Sequence, residues 1–84
     1  VLNSDKSPLT GDCWPGRSVW VDFANPQAQS WWADKIASTY KDDTVHIWND
    51  MNEPAVFNIE ELSFPRSSLH RWNGTMIEHE KVHN

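Results

Sequence analysis

An α/β fold of the parallel-strand kind is predicted by three consecutive features: a capped helix opening at Asn25-Pro26, an acidic turn at Asp42-Asp43-Thr44, and a short apolar run, Val45-His46-Ile47-Trp48, leading to a carboxylate at Asp50. Helix, turn and buried strand make one αβ unit of a parallel sheet. A carboxylate at the C-terminal end of such a strand occupies the position where these architectures, barrels above all, place reactive groups.

The elements follow in chain order. Residues 3 to 18 are rich in polar and turn-forming types, with Pro8, Gly11 and Pro15-Gly16 spaced along them, and are read as a long loop. Ser18 to Phe23 alternates in part and carries β-forming residues, so a short strand or an extended stretch is expected. Asn25 suits the N-cap and Pro26 the first helical position, where its fixed φ is already correct. The helix should run to about Tyr40 or Lys41, with Ala28, Trp32, Ile36 and Tyr40 forming one buried stripe at i+4 spacing. Val45 to Trp48 then reads as a buried strand ending near Asn49 or Asp50, with His46 inside it. Beyond Pro54 the chain is irregular, Glu60-Glu61 reads as a solvated turn, and Asn73-Gly74-Thr75 precedes a helical stretch over Met76 to Asn84.

Composition narrows the function. The chain has 84 residues, a hydrophobic fraction of 38% and a net charge of -5; its mean hydropathy is -0.70. Such a chain supports at most one small and marginal domain. With seven Lys plus Arg against twelve Asp plus Glu it has no basic stripe, so neither nucleic acid nor an anionic membrane surface is expected as a partner. No apolar run approaches the ~20 residues needed to span a bilayer. Val1 to Asp5 has no signal-peptide pattern, no Met opens the chain, and both ends are abrupt, which is expected of a piece of something larger. Cys13 is the single cysteine, read as a packed thiol. Six tryptophans are present, at least half of them expected in the core.

The densest chemistry lies in Trp48-Asn49-Asp50-Met51-Asn52-Glu53. Two carboxylates three positions apart stand beside a flat aromatic face, a thioether and two amides. An ionised Asp50 can attack an anomeric carbon while Trp48 stacks on a sugar ring. A retaining mechanism needs a second carboxyl group about 5 to 5.5 Å away. Glu53 is one candidate, and support of Asn52 or of a turn is the other reading of that residue.

The segment Trp48 to Pro54 resembles the active-site signature of family 31 glycoside hydrolases, the α-glucosidases. Cys13-Trp14-Pro15-Gly16, Asp22-Phe23-Ala24-Asn25-Pro26, Trp31-Trp32, Asn52 to Phe57, Pro65-Arg66, Leu69-His70 and His79 to Asn84 agree with that family in order. The resemblance covers nearly the whole chain. It implies that residues 1–84 are part of a (β/α)8 barrel of about 250 residues or more, from the loop after the third strand through the third helix and fourth strand to the start of the fourth helix. It implies that Asp50 is the nucleophile, that Glu53 supports it, and that Trp14, Trp48 and Met51 line the glucose pocket. The family's acid/base, an Asp on a later strand, has no counterpart here, so the 84 residues alone are expected to be inactive. The resemblance is greatest to the α-glucosidases that trim N-glycans in the lumen of the endoplasmic reticulum. It therefore implies a glucosylated N-glycan or another α-glucoside as substrate and a non-catalytic β-subunit as partner. No cofactor is expected.

Three further readings complete the sequence. Asn73-Gly74-Thr75 is an N-glycosylation sequon. His79-Glu80-Lys81-Val82-His83 satisfies H-E-x-x-H, the zinc-hydrolase pattern, but Lys81 sets a cation beside the would-be metal and no third ligand follows. The family form of this stretch is His-Arg-Glu-Val-His-Asn, from which Glu80-Lys81 departs. A carbohydrate-binding module using Trp14 and Trp48 without chemistry is the remaining alternative.

Overall fold

The computed structural model describes residues 1–50 and 52–83. Its elements are β1 (Thr10–Cys13), β2 (Gly16–Val19), α1 (Pro26–Thr39), β3 (Leu69–Trp72), β4 (Thr75–Glu78) and a 3-10 turn (His79–Lys81). The strands form two separate two-stranded antiparallel sheets, β1 with β2 and β3 with β4.

α1 forms as its local signals dictate. The Asn25 side chain accepts from the Gln27 N–H at 3.1 Å, and the Asn25 carbonyl accepts from Ala28 and Gln29. The helix ends at Thr39, a residue short of the expected end, with Tyr40 as C-cap. Its apolar stripe is only half covered, and no residue of the helix is fully buried. Phe23 packs on Trp32 with ring centroids 6.1 Å apart, while Trp32 and Tyr40 keep about half their surface in solvent.

Four expectations are corrected. Val45 to Trp48 is not a strand, and His46 is exposed rather than interior. A parallel strand draws its hydrogen bonds from neighbours on both sides and its cover from both faces; among the described residues nothing pairs with this run, and it lies open. The supposed long loop of residues 3 to 18 holds the β1–β2 hairpin, in which Cys13 pairs with Gly16 across the tip Trp14-Pro15. Gly16 takes φ +96°, a conformation open to glycine at little cost. Of the stretch Met76 to Asn84 expected to be helical, Met76 to Glu78 is strand and His79 to Lys81 a single 3-10 turn, while Asn84 lies outside the described residues. Asn73 and Gly74, at φ +48° and +79°, make the two-residue reversal typical of a hairpin. Trp72 then pairs with Thr75 and His70 with Ile77. Lastly, of the six tryptophans only Trp20 packs on the core; the other five are exposed.

That core is small: Leu9, Val56 and Phe64, with Val1, Trp20 and Ile59 against it. Backbone bonds close it. Leu2 and Leu69 exchange N–H···O contacts of 3.1 and 2.8 Å, Phe57 N–H donates to Asp12 O at 2.8 Å, and Val56 N–H donates to Leu62 O. Glu60 and Glu61 lie in an exposed turn as expected, and Glu61 pairs with Arg66 at 3.4 Å. Among the described residues no helix is long and apolar enough to cross a membrane.

Candidate active site

Trp48, Asn49 and Asp50 run along the surface, and Trp48 presents 88% of its area to solvent. Glu53 is exposed as well. Met51 lies outside the described residues. Trp14 sits at the β1–β2 tip, 72% exposed, with its ring edge-on to Phe57 at 5.0 Å and 85°. Phe57 follows the signature by four positions, so this contact anchors the Trp14 tip to the chain that leaves the signature. The anchoring is reinforced below the ring, where Asp12 N–H donates to the Asn58 side chain at 2.8 Å.

Asn52, Glu53, Pro54 and Ala55 form one wall of an open cavity of about 720 Å³. Cys13, Trp20, Phe23, Trp32, Trp72 and His70 are among its other walls. Four aromatic faces beside a carboxylate and an amide make an environment suited to apolar and ring surfaces with a polar rim. Cys13 is a free thiol, partly covered, on that wall.

The side chains of the H-E-x-x-H stretch make contacts within the protein. His79 Nδ1 is 2.9 Å from His70 Nε2, Glu80 pairs with Lys81 at 3.1 Å, and among the described residues no group of three or more His, Cys, Asp or Glu is placed to hold a metal ion. His70 Nδ1 in turn lies 2.8 Å from Asp22 Oδ1. This Asp22–His70–His79 chain was not visible as a unit in the sequence; its members are 48 and 9 positions apart. Asn73 stands exposed at the β3–β4 tip.

The chain belongs to the glycosyl hydrolases family 31 TIM-barrel domain, whose model matches residues 1–84. It is 50% identical over 88 residues to "Glucosidase 2 subunit alpha" of Schizosaccharomyces pombe, covering 95% of this chain. It is 47% identical over 87 residues to "Probable glucan 1,3-alpha-glucosidase" of Oryza sativa subsp. japonica, covering all of it. Among solved structures it resembles the catalytic subunit in the "ER glucosidase II heterodimeric complex consisting of catalytic subunit and the binding domain of regulatory subunit", with TM-score 0.79, 42% identity and 99% coverage. In each case the chain spans about 9% of the relative's own length.

Proposed function

We propose that these residues are part of the catalytic barrel of a retaining α-glucosidase in which Asp50 is the nucleophile. The observation that carries the reading is the family match over residues 1–84, within which Trp48 to Glu53 lies. The Asp50 carboxylate attacks the anomeric carbon of an α-linked glucose, the glycosidic C–O bond breaks, and a glucosyl ester forms. The departing oxygen takes its proton from an acid outside these residues, and water then releases glucose with the same group acting as base. Trp48 and Trp14 offer exposed ring faces to the pyranose, Met51 lies beside them in sequence, and Glu53 supports the nucleophile loop.

Two structural observations support placement within a barrel. The half-covered stripe of α1 and the open run Val45 to Trp48 are the faces that a third helix and a fourth strand would bury against their neighbours. The substrate is a glucosylated N-glycan or a related α-glucoside, the compartment is the lumen of the endoplasmic reticulum, and the partner is a non-catalytic β-subunit. The compartment and the regulatory partner are supported by the printed name of a solved relative, and the N-glycan substrate by the family resemblance. A chromogenic α-glucoside assay separates the alternatives. The 84 residues alone should give no turnover above buffer, while a chain extended through the remaining barrel units should hydrolyse the substrate. Turnover by the 84 residues would contradict the division of the site.

Asn73 is proposed as an N-glycan acceptor, because the amide and Thr75 are both exposed at a hairpin tip. Expression through a secretory pathway should give a form whose mobility shifts on deglycosylation, and Asn73→Gln should abolish that shift. An unshifted wild-type band would exclude the site.

A further inference from the structure

Asp22, His70 and His79 join three separate segments: the stretch entering α1, strand β3, and the turn following β4. Both imidazoles are buried, each with 6% of its surface exposed. The Asp22 carboxylate is held in place by Arg71 N–H at 2.6 Å on Oδ2 and by Ala24 N–H at 3.2 Å on Oδ1. Oδ1 also faces His70 Nδ1 at 2.8 Å.

The tautomers follow from donor and acceptor requirements. An ionised carboxylate only accepts, so His70 carries its proton on Nδ1. Neutral His70 then has a lone pair on Nε2, which must accept, so His79 donates from Nδ1 at 2.9 Å. That leaves His79 Nε2 as a bare lone pair, buried and without a protein partner. One added proton can enter there with every existing contact intact. A second proton would fall on His70 Nε2 and set N–H against N–H, and the link between β3 and the turn would be lost.

We propose that Asp22, His70 and His79 form a proton-limited clamp that seats strand β3 on the segment entering α1, ties the turn after β4 to it through the His70–His79 contact, and releases that turn on acidification. The clamp is independent of the glucosidase reading. Its surroundings set the direction of the response. Burial holds His79 below the ordinary imidazole range, the neighbouring His70 and His83 act in the same direction, and Glu61 opposes them. On the other side Asp22 faces the Val1 ammonium. Arg66 and Glu80 flank the opening next to His79. Because the unfolded chain binds a proton at His79 more readily than the folded one, the stabilisation is complete above the unfolded value of 6.5 and declines as pH falls through the lower folded value.

The test is ring ¹⁵N NMR of the 84-residue chain combined with amide exchange. At about pH 8 both His70 and His79 should be Nδ1–H tautomers, while exposed His46 shows the ordinary mixture. Exchange in β3 and β4, corrected for intrinsic rates, should rise severalfold as the pH falls below 6.5. His79→Gln keeps an amide donor to His70, removes the His79 proton site and can turn its carbonyl to accept from a protonated His70 Nε2, so it should flatten that rise. Rings of His70 and His79 that match His46 in the unsubstituted chain, whether folded or not, would overturn the clamp; so would a rise that persists in His79→Gln.

Discussion

Replacing Asp50 by asparagine is expected to lower kcat by on the order of 10⁴-fold or more in the proposed α-glucosidase, as loss of a nucleophile does elsewhere. The carboxamide keeps the shape of the side chain but is neutral and forms no glucosyl ester. The loss should fall on kcat and on kcat/KM together, because the interaction removed exists in the transition state and not in substrate binding. Glu53→Gln, at a position assigned to support, should cost less. Steady-state kinetics on the two variants, with folding checked by circular dichroism, decides the order. If Glu53→Gln proves the more damaging, the roles of the two carboxylates are reversed.

The second large effect is on stability. Gly11→Ala should destabilise the fold by about 1 to 3 kcal/mol, the usual cost of overpacking. A Cβ at Gly11 would overlap Val56 Cγ1, and it would also meet the Trp20 ring at 3.2 Å and Asn58 Oδ1 at 3.3 Å. Val56 is fully enclosed in a core of three residues, and Asn58 is tied to β1 through Asp12, so neither can move without opening the contact between β1 and the chain that leaves the signature. Urea unfolding followed by tryptophan fluorescence measures the change. Gly11→Ala combined with Val56→Ala should recover part of the loss, since the two sites share one space. An unchanged midpoint for Gly11→Ala alone would show that this core has slack.

The parts of the fold that could be read in advance are those whose causes are local. Asn25-Pro26 specifies a helix start through one side-chain acceptor and one fixed dihedral, and the helix begins there. Asn73-Gly74 is read only as an interruption ahead of a helix, although Asn-Gly is a pair that readily takes the two positive φ angles of a hairpin turn. What followed it was not legible, because Met76-Ile77 suits a strand or a helix equally, and pairing with His70 and Arg71 decided for the strand. Val45 to Trp48 failed for the opposite reason. Its apolar character was read correctly, but a strand exists only through a neighbour, and among the described residues there is none. The tryptophans erred the same way: five of six await cover that a three-residue core does not provide.

The candidate site divides along the same line. Trp48 to Glu53 is contiguous, so its chemistry is written in consecutive residues. Trp14 is distant in sequence, and the contact with Phe57 ties it to the chain that follows that segment. The Asp22–His70–His79 chain lies at the far end of this scale. Each member has an ordinary reading on its own, and only the crossing of three segments makes them a unit.

The assignment of Asp50 as nucleophile is tested most directly by trapping. A slow fluorinated α-glucosyl substrate should leave a covalent glucosyl adduct on the proposed α-glucosidase, and peptide mass spectrometry should place it on Asp50. An adduct on Glu53, or turnover under conditions where no adduct accumulates on either carboxylate, would contradict the account.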